Sequence, residues 1–150
     1  MVKTRLYLDN CCLNRPYDDQ TNLNIRLEAE AKLFIQNEIL EKHYELAWSF
    51  MMDYEISVNP FYDRQLAFMK WKNIAVLDID PEERILIKSR EIMQKNFKQK
   101  DAIHIACAIK AECEYFLTTD RKIINKNIPE INLINPLDFI RQFYIGEDEK

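Results

Sequence analysis

The sequence predicts an α/β fold, a three-layer sandwich built on a central, mainly parallel five-stranded sheet with helices on both faces. Three observations predict it. Short apolar runs and longer amphipathic stretches alternate five times along the chain, and strands that alternate with helices pair in parallel. Two of the apolar runs, at residues 5–8 and 115–117, close on carboxylates, Asp9 and Asp120. Ligands of parallel sheets bind just outside such carboxyl ends. Directly before the second run, a helix opens on Asp101 and carries Ala102, Ala106, Ala108 and Ala111, small enough to lie close against a sheet.

Composition narrows the class. A chain of 150 residues is one ordinary domain, long enough to bury about 68–70% of its unfolded surface. We expect that domain to span residues 1–145, with residues 146–150 as a frayed acidic tail. Apolar residues make up 47% and charged residues 31%, the balance of a soluble globular protein. The start, Met-Val-Lys-Thr-Arg, leads straight into an expected strand, so no signal peptide is expected, and no apolar run approaches the ~18 residues of a membrane span. A cytoplasmic protein without membrane contact is expected. The formal charge of −4 excludes coating nucleic acid by bulk charge but leaves room for an enzyme with a local basic rim.

The cysteines are Cys11, Cys12, Cys107 and Cys113. They lack metal-ligand spacing. Cys107 and Cys113 stand among apolar residues as small core hydrophobes, and the adjacent pair suits a reduced setting better than a disulfide framework. Gly146 is the only glycine, which excludes the P-loop, the dinucleotide-binding fingerprint and the nucleophile elbow together.

In order along the chain, residues 5–8 form the first strand. Residues 10–22 form a loop longer than most strand-to-helix connections, either a plain connection or a flap carrying Arg15 over the site. Residues 23–41 are helical, with Leu27, Ala31, Phe34 and Ile35 on one face. Residues 44–48 are the second strand, and Ser49 is a good N-cap for the helix that follows. On that helix Met51, Tyr54 and Val58 define a buried stripe that Glu55 shares, whereas Asp53 points to solvent. A carboxylate on an inward face is costly unless it is paired or binds a cation, which gives Glu55 a reason to be functional. Asn59-Pro60 ends the helix. Tyr62, Leu66 and Met69 mark another helix ending near Trp71, an aromatic stripe for the core or a subunit interface. Residues 74–79 are the third strand. Asp80 N-caps a helix with Pro81 at its first position and Glu83 as capping-box acid, running to about Asn96. After residues 115–117 come a last strand at 131–134 and a closing helix from Pro136 through Phe143.

Two strands that deliver carboxylates to one edge of a sheet set like charges against each other. Each raises the other's pKa unless a cation sits between them. Asp9, Asp101 and Asp120 therefore point to a divalent metal, and their oxygens suit hard Mg²⁺ or Mn²⁺. Such a metal activates bound water and polarises a phosphoryl oxygen. Lys95, Lys98 and Lys100 abut Asp101, and Arg121 follows Asp120, a rim suited to a phosphate backbone. His104, one turn beyond Asp101, is assigned as a packed core histidine.

The strand end at Asp9, the helix start Ser49…Glu55, Asp101-Ala-Ile-His-Ile-Ala and the strand end Leu-Thr-Thr-Asp120 together resemble the PIN domain, over residues 6–140. The resemblance implies a Mg²⁺- or Mn²⁺-dependent ribonuclease of the kind found as VapC-type toxins, with RNA as substrate, an antitoxin protein as partner and homodimer formation. It puts the acidic site on Asp9, Glu55, Asp101 and Asp120, with Ser49 and Thr118 at the supporting hydroxyl positions. Beside it, Asn10 is a further supporting candidate, and Arg15, Lys98, Lys100 and Arg121 are candidates for contact with RNA. Cys113 and Glu114 stand where the family often has glycine before the last strand, and Thr119 where asparagine is common.

Two other classes compete. A non-catalytic PIN-like domain would bind RNA or protein without cutting, against which all four acids count. A phosphotransfer module fits less well: a haloacid-dehalogenase-type phosphatase needs a second aspartate where Cys11 stands, and a receiver domain needs an acidic pair and a strand-end lysine that are not found.

Overall fold

A computed structural model of the protein describes residues 3–145. Its sheet has five strands, β1 (Arg5–Leu8), β2 (Glu45–Ser49), β3 (Leu77–Ile79), β4 (Tyr115–Leu117) and β5 (Asn132–Ile134). They run in the order β3-β2-β1-β4-β5, and every pairing is parallel. The chain moves outward from β1 through β2 to β3, then returns to the other side of β1 with β4. That reversal puts the topological switch point at the carboxyl ends of β1 and β4, where open α/β sheets bind ligands.

Side chains alternate between the two faces of a strand. Leu6, Tyr7 and Leu8 are nevertheless all buried, as are Phe116 and Leu117, so helices cover both faces. This is the expected three-layer α/β architecture. The helices are α1 (Asn10–Asn14), α2 (Leu23–Leu40), α3 (Phe50–Ser57), α4 (Tyr62–Ile74), α5 (Glu83–Met93), α6 (Gln99–Lys110), α7 (Arg121–Ile124) and α8 (Pro136–Ile140). The alanines of α6 are buried as expected, with Cys107 and Cys113 among them. Among the described residues α2, α5 and α6 end without glycine. Left-handed backbone falls instead on Lys42 (φ 65°), Asn96 (φ 74°) and Glu112 (φ 59°). At two of these ends paired bonds close the helix, His43 N to Glu38 O with Lys42 N to Ile39 O, and Cys113 N to Ala108 O with Glu112 N to Ile109 O; both are Schellman closures.

Several local expectations differ from the structure. The 10–22 loop contains α1 and a 3₁₀ turn at Arg15–Tyr17. Its Arg15 is tied down by Glu28 (2.8 Å) and Asp18 (3.1 Å), so it is an anchor and not a flap. α2 buries Glu28, Lys32 and Gln36 while Phe34 is 40% exposed, because Glu28 is paired with Arg15 and Asn135 and Phe34 packs on Tyr144 instead. α4 continues to Ile74, so β3 is shorter than the expected 74–79 strand. α5 begins at Glu83 with extended Glu82 before it and no side-chain cap, so Asp80 is not its N-cap. α5 stops at Met93, and α7 was not expected. On α3 the buried residues are Met51, Met52 and Ile56. Tyr54 and Val58 are half exposed or more, so the expected stripe was off by part of a turn. Of the α4 aromatic stripe, Phe68 enters the core while Tyr62 and Leu66 face solvent. The expected acidic tail, 146–150, lies outside the described residues.

Candidate functional site

Asp9 follows β1, and its N–H donates to Leu117 O at 2.9 Å, which locks the carboxyl end of β1 to that of β4. Its carboxylate caps α1 by accepting from Asn10 N at 2.8 Å and accepts from the Thr118 hydroxyl at 2.9 Å. Asp120, three residues beyond β4, caps α7 by accepting from Lys122 N at 2.9 Å. Asp101 stands in the first turn of α6 and Glu55 in the last turn of α3. These four carboxylates line one open cavity of about 450 Å³, with Asn10, Cys11, Lys98 and Lys100 in its walls.

The cavity is electrostatically unbalanced. Four carboxylates face two lysines, a formal excess of negative charge. The Asp101 carboxyl is held above its usual range by burial, then by Asp9 and Asp120, with partial relief from His104. Burial alone would raise Glu55 too, but the His104 hydrogen bond and charge, with help from Lys100 and Asn10, hold it below the usual range. Asn10 Oδ1 is buried without a hydrogen-bond partner, an acceptor left open beside the carboxylates. Among the described residues no group of three or more His, Cys, Asp or Glu side chains is arranged to hold a metal ion; the four acids line the open cavity instead. Carboxylate oxygens with uncompensated charge and an orphaned carbonyl oxygen are donors of the type that hard divalent cations take.

Comparison with known families finds a match to the PIN domain over residues 6–128. The chain belongs to the PIN domain family. A solved structure described as VapBC2 from Rickettsia felis bound to a DNA fragment from their promoter shares its fold, with a TM-score of 0.54. Identity to it is 18%, over 88% of this chain and 98% of that one. Comparison with curated proteins finds no match.

In this PIN domain the remaining sequence-predicted residues separate into those at the cavity and those behind or away from it. Asn10 donates to Glu55 Oε2 at 3.2 Å. Thr118 and Ser49 are fully buried and act from behind, Thr118 on Asp9 and Ser49 as the α3 cap, accepting from Met52 N. Lys98 and Lys100 stand in the wall, the Lys100 ammonium 5.6 Å above the Tyr54 ring. Arg15 does not line the cavity. Arg121 lines a different one, beside Asn125 and Asn135. Asp53 accepts from Trp48 Nε1 at 2.9 Å and Lys72 Nζ at 3.0 Å, a structural pairing where solvent exposure was expected.

Two residues at the site were missed. His104 is buried, as expected, but it bonds Glu55 and Tyr7; its position three residues after Asp101, on the same helix face, was the available signal. Cys11 lines the cavity, 3.4 Å from Asp9 Oδ2 and 3.3 Å from Thr118 Oγ1. Its place two residues after a strand-ending aspartate was the signal there. All four thiols are free.

Proposed function

We propose that this PIN domain is a Mg²⁺- or Mn²⁺-dependent endoribonuclease, the toxin of a toxin–antitoxin pair acting in the cytoplasm. The observation that carries the reading is the convergence of Asp9, Glu55, Asp101 and Asp120 on one cavity at the switch point, where Asp101 is held high by burial and then by Asp9 and Asp120. Asp9, Asp101 and Asp120 would hold the cation, with Glu55 and Asn10 beside it. When bound, such a cation supplies an activated water and offsets charge on the scissile phosphate. The chain's own residues do the rest. Thr118 keeps Asp9 in place, Asn10 donates to Glu55, and Lys98 and Lys100 offer ammonium groups to the RNA backbone.

Family resemblance and the VapBC2 complex that shares the fold support an antitoxin protein as partner. Exposed Val58, Phe61, Tyr62 and Leu66 at the end of α3 and along α4 offer apolar surface for an antitoxin or a second copy of the chain. No described helix is long and apolar enough to cross a membrane. The test is cleavage of single-stranded and structured RNA by purified protein with Mg²⁺ or Mn²⁺ and after chelation. Metal-dependent cleavage is expected; cutting that survives exhaustive EDTA treatment overturns the proposal.

A further inference from the structure

Glu55 reaches the cavity on a flexible side chain, and no hydrogen bond from its own helix holds it there among the described residues. Asp9, Asp101 and Asp120 share the cavity with it, and like charges favour its swinging away. The restraint comes from inside the core. His104, 1% exposed, bonds through Nε2 to Glu55 Oε1. Its Nδ1 lies 2.6 Å from the Tyr7 hydroxyl, which lies 2.7 Å from Ser49 Oγ. Tyr7 and Ser49 are both 0% exposed. A chain of polar groups thus runs from the sheet interior to the cavity, and Glu55 is its only member in the cavity wall.

We infer that His104, held by Tyr7 and Ser49, is a positioning residue that fixes the Glu55 carboxylate at the metal site. The inference rests on the metal-dependent reading of the cavity and gives a role to side chains that do not line it. The direction of the bonds follows from what each group can donate. An ionised carboxylate only accepts, so Nε2 carries the hydrogen that faces Glu55. Tyr7 cannot turn aside, because its ring stacks on Phe116 at 5.3 Å and meets the imidazole edge-on at 5.7 Å. Ser49 Oγ also accepts the Met52 N–H at 3.4 Å, in the first turn of the helix that carries Glu55. The Ser49 and Tyr7 hydroxyls in series therefore tie the start of α3 to the imidazole that holds the carboxylate near its end. With Asn10 on Oε2 at 3.2 Å, both carboxylate oxygens are anchored. A histidine present only to fill space would carry the cost of a buried polar ring for nothing an apolar side chain does not supply.

The test uses His104→Leu, His104→Gln and Tyr7→Phe in the full chain. Mn²⁺ affinity is measured by calorimetry on metal-stripped protein, alongside kcat and KM for cleavage of a short RNA, with circular dichroism reporting folding. We expect His104→Leu to weaken Mn²⁺ binding by about 10–100-fold, the usual effect of losing such a support, and to lower kcat with KM unchanged. In His104→Gln the amide nitrogen replaces Nε2 and should restore most of both. Tyr7→Phe keeps the ring stacking and should weaken Mn²⁺ binding by a smaller factor. Should His104→Leu fail to fold, Tyr7→Phe decides alone. A folded His104→Leu or Tyr7→Phe with wild-type Mn²⁺ affinity overturns the inference, as does a His104→Gln no better than His104→Leu. A protein that cuts no RNA, yet loses Mn²⁺ affinity in His104→Leu, keeps the positioning role and overturns the nuclease reading. A wild type that binds no Mn²⁺ overturns both.

Discussion

The Thr118 hydroxyl donates to the Asp9 carboxylate at 2.9 Å, joining the carboxyl ends of two neighbouring strands. The same oxygen accepts the Asp120 backbone N–H at 3.1 Å. One fully buried side chain therefore sets the separation of the carboxylates that follow β1 and β4. Thr118→Val keeps the shape and removes the hydroxyl, which leaves nearly buried Asp9 short of a donor. We expect a loss of about 1–3 kcal/mol, the cost of an unmade buried hydrogen bond, and weaker Mn²⁺ binding. Thr118→Ser should keep the metal affinity. Urea melts and calorimetry check both, and equal metal affinity in Val and Ser variants would contradict the role.

Asp101 tests the charge balance. Its carboxyl is raised by burial, Asp9 and Asp120, so the folded state binds a proton more readily than the unfolded one. Its contribution is then favourable below the unfolded pKa and is lost as pH rises through the folded pKa. At neutral pH the charged group destabilises the metal-free fold. Asp101→Asn should therefore raise the Tm of metal-free protein and shrink the rise that Mn²⁺ induces, which for wild type at 100-fold excess over Kd corresponds to about 2.7 kcal/mol. An undiminished Mn²⁺ shift in the variant would place the cation elsewhere.

Lys32 supplies a pH effect away from the site. It is 5% exposed, and burial brings its ammonium down to about 8 against a small upward pull from Cys12. Between that value and the unfolded lysine pKa the unfolded state binds more protons, so this contribution to stability rises with pH. Below it the penalty is complete, on the order of 3 kcal/mol for such a shift. Lys32→Met should be more stable than wild type at pH 7, and the difference should shrink by pH 9.5. Urea denaturation at the two pH values reads this, and a difference that stays constant with pH would show that the ammonium is solvated.

Two of the three left-handed helix ends give a third kind of test. Lys42 (φ 65°) and Glu112 (φ 59°) hold a conformation that costs a residue with Cβ roughly 1–2 kcal/mol. Glycine avoids that cost but loses about 0.5–1 kcal/mol in chain entropy. Lys42→Gly and Glu112→Gly should each stabilise by about 0.5–1 kcal/mol in urea melts. Glu112→Ala, which keeps Cβ, should not. Equal behaviour of the Gly and Ala variants would remove backbone strain as the cause.

These cases mark what the sequence makes legible. β1 and β4 are buried on both faces, so they stand out as unbroken apolar runs, and the aspartates beyond them are placed by position alone. α6 announces itself by its alanines and its first-turn Asp101. α1 does not, because Asn-Cys-Cys-Leu-Asn has no helical period. It is held by the Asp9 cap and by side-chain bonds from Asn14 to Asn10 O and from Asn59 to Asn14. The buried face of α2 was misread because Glu28 is satisfied by Arg15, 13 positions earlier, and Asn135, 107 positions later. His104 was placed in the core correctly, but its bonds were hidden for the same reason, since its partners lie 49 and 97 positions away. Polar residues that pair across such distances look like surface residues or plain core until the chain is folded.

Glu55 and Asp53 share one helix, and only one of them meets the cavity. The stripe first expected, Met51 with Tyr54 and Val58, is not the buried one, yet Glu55 still lines the acidic cavity. Met51, Met52 and Ile56 are buried, and Glu55, four residues after Met51, lies at the edge of that face with His104 and Asn10 as partners. Asp53 is held by Trp48 and Lys72, and a half-exposed ion pair of that kind contributes about 0–1 kcal/mol. Glu55→Gln should lower single-turnover RNA cleavage at saturating Mn²⁺ by at least ~100-fold with the fold intact, in line with loss of a group supporting a metal site. Asp53→Asn keeps an oxygen for Trp48 and should change cleavage little while lowering stability slightly. Circular dichroism confirms folding of both. If Asp53→Asn is inactive and Glu55→Gln cuts normally, the acidic cavity described here is not where the chemistry occurs.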